Sequence, residues 1–322
     1  MDRTASPKRP PATLYPPTDP FDQRMIEMGD GHVVYMEQCG NPAGQPVIVL
    51  HGGPGGGCSP MMRRFFDPQV YRIVLFDQRG CGRSRPYASV EANTTQHLIG
   101  DIERIRKTLD IDTWMAFGGS WGATLALLYA QAHPERVNAL VLRGVFLMTQ
   151  AELAWFYGGG AGRFFPDLWQ RFANAVPASE RDDLIAAYHR RLFSGNLQEE
   201  VAYGRLWAGW ENALASIDHP AVMGDGPADY VRAFSRLENH YFIHRGFLEQ
   251  DDQIVSRAAS IAHIPARIVQ GRYDMVCPPV SAWRLAERLP RAELRMIPLA
   301  GHALSEPGIA AELISATDDF RL

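Results

Sequence analysis

A serine framed by glycines limits what this chain can fold into more than any other feature of the sequence. Residues 118–122 read Gly-Gly-Ser-Trp-Gly and place the pattern G-x-S-x-G around Ser120. An apolar run at residues 114–117 precedes the motif, and a helix-like run at residues 123–131 follows it. A strand, a tight turn and a helix in that order lift a serine hydroxyl clear of the backbone. The pattern therefore predicts a nucleophilic Ser120 at the end of a β-strand.

Two residues that could activate this serine follow it along the chain. Asp274 comes shortly after a strand-like run at residues 266–270, and His302 comes shortly after another at residues 294–297. Loops at the carboxyl ends of parallel strands are where open sheets carry their sites. A histidine can take the serine proton, and a carboxylate orients the imidazole. Each residue alone has an ordinary alternative as a turn serine, a capping aspartate or a surface histidine, but the ordered set favours a catalytic triad.

A second glycine-rich segment follows a strand-like run at residues 47–50. Residues 51–57 read His-Gly-Gly-Pro-Gly-Gly-Gly. A phosphate-binding loop is one interpretation, but the segment lacks the Gly-Lys-Ser/Thr ending and the dinucleotide spacing. An acyl-transfer site needs two backbone N–H groups directed at the developing oxyanion. We therefore expect the N–H groups of Gly53 and Trp121 to form an oxyanion hole.

Composition narrows the function classes further. The chain has 322 residues, 46% of them hydrophobic, and a formal net charge of −4. It has no basic stripe that would follow nucleic acid and no apolar run near the roughly 20 residues that span a bilayer. The N-terminus lacks a secretory apolar segment, and four cysteines are scattered without a C-x-x-C pair. We expect a cytoplasmic protein with no nucleic-acid or membrane partner, no metal and no organic cofactor. The sequence leaves the oligomeric state open and favours a monomer.

The order of predicted elements indicates the fold class. Residues 1–20 are proline-rich and are expected to be extended or disordered. Residues 25–38, interrupted by a Gly-Asp-Gly turn, predict a β-hairpin. Short apolar runs then alternate with helical stretches, of which residues 94–110 are an example with Asn93 or Thr94 as the cap. This alternation predicts an α/β fold with a mostly parallel, twisted sheet and helices on both faces.

The pattern changes between the serine and the aspartate. From about residue 148 to residue 256 the chain is helix-like and unusually aromatic, and no strand-like run clearly interrupts it. We expect an inserted helical cap domain over the site, with residues 21–147 and 257–322 forming the catalytic domain. Most of the aromatic residues should form the core of the cap, and the remainder should line a ligand cavity.

Motifs along nearly the whole chain resemble those of the proline iminopeptidases, also called prolyl aminopeptidases, which are serine peptidases of the α/β-hydrolase fold. The resemblance is carried by Leu-Tyr-Pro-Pro at 14–17, His-Gly-Gly-Pro-Gly-Gly at 51–56, Asp-Gln-Arg-Gly-Cys-Gly-Arg-Ser at 77–84, Gly-Gly-Ser-Trp-Gly at 118–122, Glu-Asn-His-Tyr-Phe at 238–242, Gly-Arg-Tyr-Asp at 271–274 and Gly-His at 301–302. One departure lies beside the histidine, where Ala-Leu-Ser at 303–305 stands in place of the usual Ser-Ala-Phe. It makes the local packing uncertain.

The resemblance implies a role for each matching residue. Ser120 would be the nucleophile, His302 the general base and acid, and Asp274 its orienting carboxylate. From the residues alone, a glutamate of the helical segment is better interpreted as a solvated helix position, but the resemblance implies that Glu211 and Glu238 bind the substrate's charged imino group. The positions that match the family's aromatic walls for the proline ring are Phe146, Phe156 and Phe242. Cys277 also matches a family cysteine and is expected to be a packing residue near the triad.

The resulting expectation is a serine exopeptidase that releases an N-terminal proline from a peptide through a prolyl-enzyme intermediate. The alternative on the same fold is an esterase, lactonase or amidase that acts on a small uncharged acyl group, because a fold does not determine its substrate. A neutral substrate would not need two cap carboxylates. A catalytically silent binding protein is a third interpretation, and the intact serine, aspartate, histidine and glycine-rich loop argue against it.

Overall fold

An eight-stranded sheet forms the centre of the protein, which we describe from a computed structural model covering residues 13–217 and 226–321. The strands are β1 Asp22–Gly29, β2 His32–Gly40, β3 Gln45–Leu50, β4 Tyr71–Phe76, β5 Trp114–Ser120, β6 Val137–Val145, β7 Ala266–Gly271 and β8 Ala292–Ile297. Their spatial order is β1-β2-β4-β3-β5-β6-β7-β8. Only β2 runs antiparallel to its two neighbours, and β4 through β8 pair in parallel. The predicted α/β-hydrolase architecture is confirmed.

Ten α-helices accompany the sheet in the described residues. They are α1 Thr95–Thr108, α2 Trp121–Ala132, α3 Gln150–Tyr157, α4 Pro166–Ala173, α5 Leu184–Leu192, α6 Leu197–Ala215, α7 Ala228–Ile243, α8 Gln253–Ser256, α9 Pro279–Arg288 and α10 Pro307–Asp318. The first helix shows why the sequence folds this way: Thr94 caps it by accepting the N–H of His97, and its apolar residues face the core. None of the described helices is long and apolar enough to cross a membrane.

The sheet has two apolar faces because helices cover both of them. On one face, α1, α2 and α9 pack over residues such as Ile48 and Leu140, and on the other α10 packs over Val49 and Val141. Alternate residues of each central strand therefore point into different core clusters, which explains the continuous apolar runs in the sequence. Strand β5 is buried along its whole length, so the Ser120 at its end stands on a rigid support.

Six helices, α3 to α8, lie between β6 and β7, where the sequence predicts an inserted cap. We call residues 146–265 the inserted segment, and the structure describes it except for residues 218–225. Its aromatic side chains stack on one another: Phe172 stacks on Tyr188 at 4.4 Å and on Trp210 at 5.8 Å between ring centroids. At the other end of the chain, residues 1–12 of the proline-rich stretch lie outside the described residues, and residues 13–20 form neither helix nor strand. There Tyr15 hydrogen-bonds to Asp318 and to the backbone of Arg64.

Candidate active site

Ser120 occupies a sharp turn between β5 and α2. Its backbone has φ 58° and ψ −125°, a conformation that residues other than glycine rarely adopt. The flanking glycines allow the turn to close, because a Cβ on Gly122 would lie 2.0 Å from the carbonyl oxygen of Leu50. A Cβ on Gly118 would lie 2.2 Å from the carbonyl oxygen of Gly122. The G-x-S-x-G pattern is thus a steric requirement of this turn.

Asp274 and His302 meet at the same edge of the sheet. His302 Nδ1 lies 2.8 Å from Asp274 Oδ2, and both side chains are buried. The other carboxylate oxygen accepts the backbone N–H groups of Val276 and Cys277 at 3.0 and 2.7 Å. Because the carboxylate is held from several sides, it can orient the imidazole by accepting its Nδ1 proton. Nε2 is then the nitrogen left to exchange protons.

A buried arginine, which the sequence analysis did not single out, also touches the histidine. Arg143 Nη1 lies 2.9 Å from His302 Nε2 and donates to the His302 carbonyl oxygen at 3.0 Å. Its guanidinium packs against the serine turn, where a Cβ on Gly119 would lie 2.5 Å from Arg143 Nη2. Burial lowers the pKa of Arg143, against the opposing charge of Asp274. In the sequence it is only an arginine that follows the apolar residues 139–142, and that position gives no indication of these contacts.

The predicted binding residues gather around the serine in one cavity. Its walls lie close together and leave about 10 Å³ for the centre of a water molecule. Its walls are Gly53, Ser120, Phe146, Phe156, Glu211, Glu238, Phe242, Val276 and Cys277. The phenylalanine rings supply apolar walls, and Phe146 packs edge-on against Phe242 at 5.8 Å. A small apolar ring with one charged group is the kind of ligand that such walls and carboxylates can hold.

The two glutamates face the same cavity, so the solvated-helix interpretation of both is wrong. Glu211 extends from α6 and Glu238 from α7, both side chains line the cavity, and Glu238 and one carboxylate oxygen of Glu211 are buried. Glu238 also accepts the indole N–H of Trp207 at 2.5 Å, whereas the buried Oε2 of Glu211 has no partner among the described residues. Burial raises the pKa of both carboxyls, and the neighbouring Glu211 raises that of Glu238 further. The unpartnered oxygen is an acceptor available to a cationic ligand.

Cys277 lies on the same cavity wall, beside the serine. Its thiol is buried, and burial raises the pKa of the thiol well above its usual value. A thiol in this state is protonated at neutral pH and is a poor nucleophile. The residue therefore fits the packing position that the sequence analysis expected of it.

The predicted oxyanion loop borders the cavity through Gly53. This residue has φ +109°, which favours glycine, and a Cβ there would lie 2.7 Å from the N–H nitrogen of Gly55. On the opposite side of the serine, Trp121 is the first residue of α2 and its indole is fully buried. Gly53 and Trp121 thus lie on the two elements that meet at Ser120, and their roles as donors remain predictions.

The inserted segment is tied directly to the histidine loop. The carbonyl oxygen of Ala215, the last residue of α6, accepts the backbone N–H groups of His302 and Ala303 at 2.9 and 2.7 Å. Glu306 accepts the N–H of Gly301 at 2.8 Å. The contact of Ala215 includes Ala303, the first of the residues 303–305 at which the sequence departs from the family pattern. It also couples the position of α6, which carries Glu211, to the position of His302.

The comparisons with known proteins agree with this architecture. A family model described as the alpha/beta hydrolase fold matches residues 45–308. The proline iminopeptidase of Xylella fastidiosa is 51% identical over 310 residues, which cover 96% of this chain and 99% of that protein. The proline iminopeptidase of Arabidopsis thaliana is 48% identical over 313 residues, which cover 96% of this chain and 82% of that protein.

Solved structures support the fold at greater sequence distance. The proline iminopeptidase-related protein of Thermus thermophilus superimposes with a TM-score of 0.60 at 21% identity, covering 93% of this chain and 98% of that one. An esterase from Exiguobacterium antarcticum gives a TM-score of 0.58 at 19% identity, covering 91% and 98%. Structures this divergent establish a shared fold and leave the substrate to be argued from the site.

Proposed function

The chain belongs to the proline iminopeptidase family of α/β hydrolases, and we propose that Ser120, His302 and Asp274 are the triad with which it releases an N-terminal proline from a peptide. The observation that carries the proposal is the Glu211–Glu238 pair in the same cavity as Ser120. An exopeptidase must bind a free, charged amino terminus and reject the interior of a chain. Buried carboxylates at a fixed distance from the nucleophile do both.

The substrate enters with its imino cation toward the glutamates and its ring among Phe146, Phe156 and Phe242. The cation lies against the two carboxyls and gives the unpartnered oxygen of Glu211 a hydrogen-bond donor. An acylated nitrogen carries no charge and would leave the carboxylates unpaired. A neutral ester substrate would not need them, which is the argument against the esterase alternative.

The chemistry then follows from the positions of the three residues. Ser120 Oγ attacks the prolyl carbonyl carbon as His302 Nε2 takes the hydroxyl proton, and Arg143 gives up its contact with that nitrogen. The N–H groups of Gly53 and Trp121 hold the oxyanion. His302 next protonates the leaving amine and the C–N bond breaks. Water, deprotonated by His302, hydrolyses the prolyl ester and restores the serine.

A substrate panel tests this function. Prolyl 4-nitroanilide should be hydrolysed far faster than its alanyl and leucyl analogues, and N-acetylation should abolish its turnover. Ser120→Ala should reduce kcat by about 10⁶, as complete loss of a triad nucleophile does. Rapid hydrolysis of 4-nitrophenyl acetate without any cleavage of prolyl 4-nitroanilide would contradict the proposal and favour the uncharged acyl substrate.

We also infer that the enzyme acts as a monomer in the cytoplasm. The four cysteines, Cys39, Cys58, Cys81 and Cys277, are all unpaired, which suits a reducing compartment. Size-exclusion chromatography with light scattering tests the oligomeric state, and a dimer that dissociates with loss of activity would contradict the inference.

A further inference from the structure

We propose that Gln78 is a positioning residue that sets the spacing of the two backbone donors in the oxyanion hole. The inference rests on the function proposed above for Gly53 and Trp121. Gln78 lies two residues beyond the end of β4, outside the cavity walls, and its side chain is buried. In the described structure it makes no hydrogen bond to Ser120 or His302. Its effect would therefore pass through the residues that it holds in place.

The side-chain amide of Gln78 bridges the two elements that carry the donors. Its Nε2 donates to the carbonyl oxygen of His51 at 3.0 Å, two residues before Gly53. Its Oε1 accepts the indole N–H of Trp121 at 2.9 Å. The indole can only donate and the carbonyl can only accept, so the amide has one satisfied orientation. Methionine fills similar space but can make neither bond.

The backbone of Gln78 fixes the same histidine a second time. The Gln78 N–H donates to His51 Nε2 at 3.0 Å, which requires that nitrogen to be unprotonated. Burial lowers the pKa of His51, so the ring remains neutral. Beyond His51, the carbonyl of Gly52 accepts the N–H of Gly56 at 3.1 Å and closes the loop around Gly53. The start of the oxyanion loop is therefore held on both its main chain and its ring.

Trp121 is held from the opposite side. Its indole is fully buried and packs against Tyr241 with ring centroids 4.7 Å apart. The backbone N–H of the same residue is the proposed donor, so anchoring the indole restrains the start of α2. A shift of either half of the hole must break a bond to Gln78. Placement errors of about 0.5 Å weaken such sites, and the loss is felt where the charge develops, in the transition state.

Gln78→Met is the variant that tests this, and Gln131→Met is its matched control. Gln131 lies near the far end of α2, and its Nε2 donates to the Ile254 carbonyl at 2.7 Å. Both variants therefore lose an amide that is bonded to a backbone carbonyl. With prolyl 4-nitroanilide as substrate, Gln78→Met should lower kcat by about tenfold to a hundredfold. This loss is smaller than the roughly 10²–10³-fold fall in kcat that follows removal of a whole oxyanion donor. Its KM should stay within about twofold, and Gln131→Met should keep both constants.

A transition-state mimic separates positioning from general damage. The boronic acid analogue of proline forms a tetrahedral adduct whose oxygen occupies the oxyanion hole, whereas proline itself binds without one. The inhibition constant of the boronic acid should rise in Gln78→Met by the same factor as kcat falls, and that of proline should not change. Equal weakening of both ligands, or unchanged kcat in the folded variant, overturns the inference.

Trp121→Phe provides a second route if Gln78→Met does not fold. It removes the indole N–H and keeps the backbone donor, so it should reproduce the loss in kcat. Where Gln78→Met does fold, the double variant should lose little more than Gln78→Met alone, because Trp121→Phe removes a bond that Gln78→Met has already removed. Unchanged kcat in Trp121→Phe, or fully multiplicative losses, contradicts the inference. A wild-type enzyme that cannot cleave prolyl 4-nitroanilide would refute the proposed function instead, so the two failures are distinguishable.

Discussion

Replacing Glu211 with glutamine should weaken the enzyme toward charged substrates alone. The change keeps the side-chain shape but replaces the carboxylate that we assign to the substrate's imino cation with a neutral amide. A hydrogen bond to a charged group contributes about 1.5–3 kcal/mol. The kcat/KM for prolyl 4-nitroanilide should therefore fall by roughly tenfold to 150-fold, at about 1.4 kcal/mol for each factor of ten. Hydrolysis of 4-nitrophenyl acetate, which has no cation, should stay within about threefold of wild type.

The second carboxylate makes the prediction sharper. Burial raises the pKa of both carboxyls, and either single glutamine variant keeps one carboxyl that can ionise beside the substrate's cation. Glu238→Gln can keep its bond from the Trp207 indole through the amide oxygen, because that indole only donates. In the double variant the substrate's cation would be buried without any anion. The loss in the double variant should exceed the product of the two single losses.

The assay compares initial rates on the amide and the ester for the two single variants, the double variant and Glu199→Gln. Glu199 lies in the first turn of α6, on the same helix as Glu211 but remote from its end of that helix, so its variant should keep both rates. Equal losses on the amide and the ester would refute the reasoning, because they would mean that the glutamates support the fold of the site and do not bind the cation.

Three further predictions concern the stability of the protein, its activity, and the dependence of its stability on pH. Gly122→Ala should unfold the protein or destabilise it by about 3 kcal/mol, because its Cβ would lie 2.0 Å from the carbonyl oxygen of Leu50. Gly100→Ala is the control: it lies in open space on α1 and should stabilise the protein by about 0.5–1 kcal/mol. Urea titration measures both changes. Arg143→Met removes the side chain that contacts both His302 Nε2 and the His302 carbonyl oxygen, so kcat for prolyl 4-nitroanilide should fall by about tenfold or more because the imidazole is no longer held in place. Burial lowers the pKa of His240 from 6.5 to about 4. As pH falls from 6.5 to 4, this histidine is therefore protonated in the unfolded chain before it is protonated in the folded protein. The free energy of unfolding should fall by up to about 3 kcal/mol over that range.

Each of these has an outcome that contradicts it. Gly122→Ala with wild-type stability would mean that the turn does not need the close approach to β3. Unchanged kcat in Arg143→Met would mean that the arginine does not hold His302 in its working position. If His240→Gln shows the same slope of stability against pH between 6.5 and 4 as wild type, another group is responsible for the loss.

Local chemistry explains why part of the site could be predicted from the sequence. Ser120, Asp274 and His302 each follow an apolar strand, and parallel strands bring such loops to one edge. The glycines beside Ser120 are required by contacts of a few ångströms within a single turn, so a short motif records them. The Gly-Asp-Gly turn of the first hairpin and the Thr94 cap of α1 are local for the same reason.

Other parts depend on contacts between distant elements, which a single sequence does not record. Glu211 and Glu238 face one cavity because α6 packs on α7, whereas from spacing alone both residues looked solvated. Arg143 resembles any charged residue at the end of a strand until the fold places it against His302. Gln78 lies in a motif that the sequence analysis noticed, but its bridge joins residues 51 and 121, which only the sheet brings together.

The most direct test of the proposed mechanism is the identity of the covalent intermediate. Enzyme mixed with an activated prolyl ester, quenched in acid within milliseconds and digested, should yield one modified peptide by mass spectrometry. We expect a prolyl adduct on Ser120, absent in Ser120→Ala and absent when the ester is N-acetylated. A prolyl adduct on Cys277, or an intact Ser120 peptide throughout rapid prolyl turnover, would contradict the mechanism.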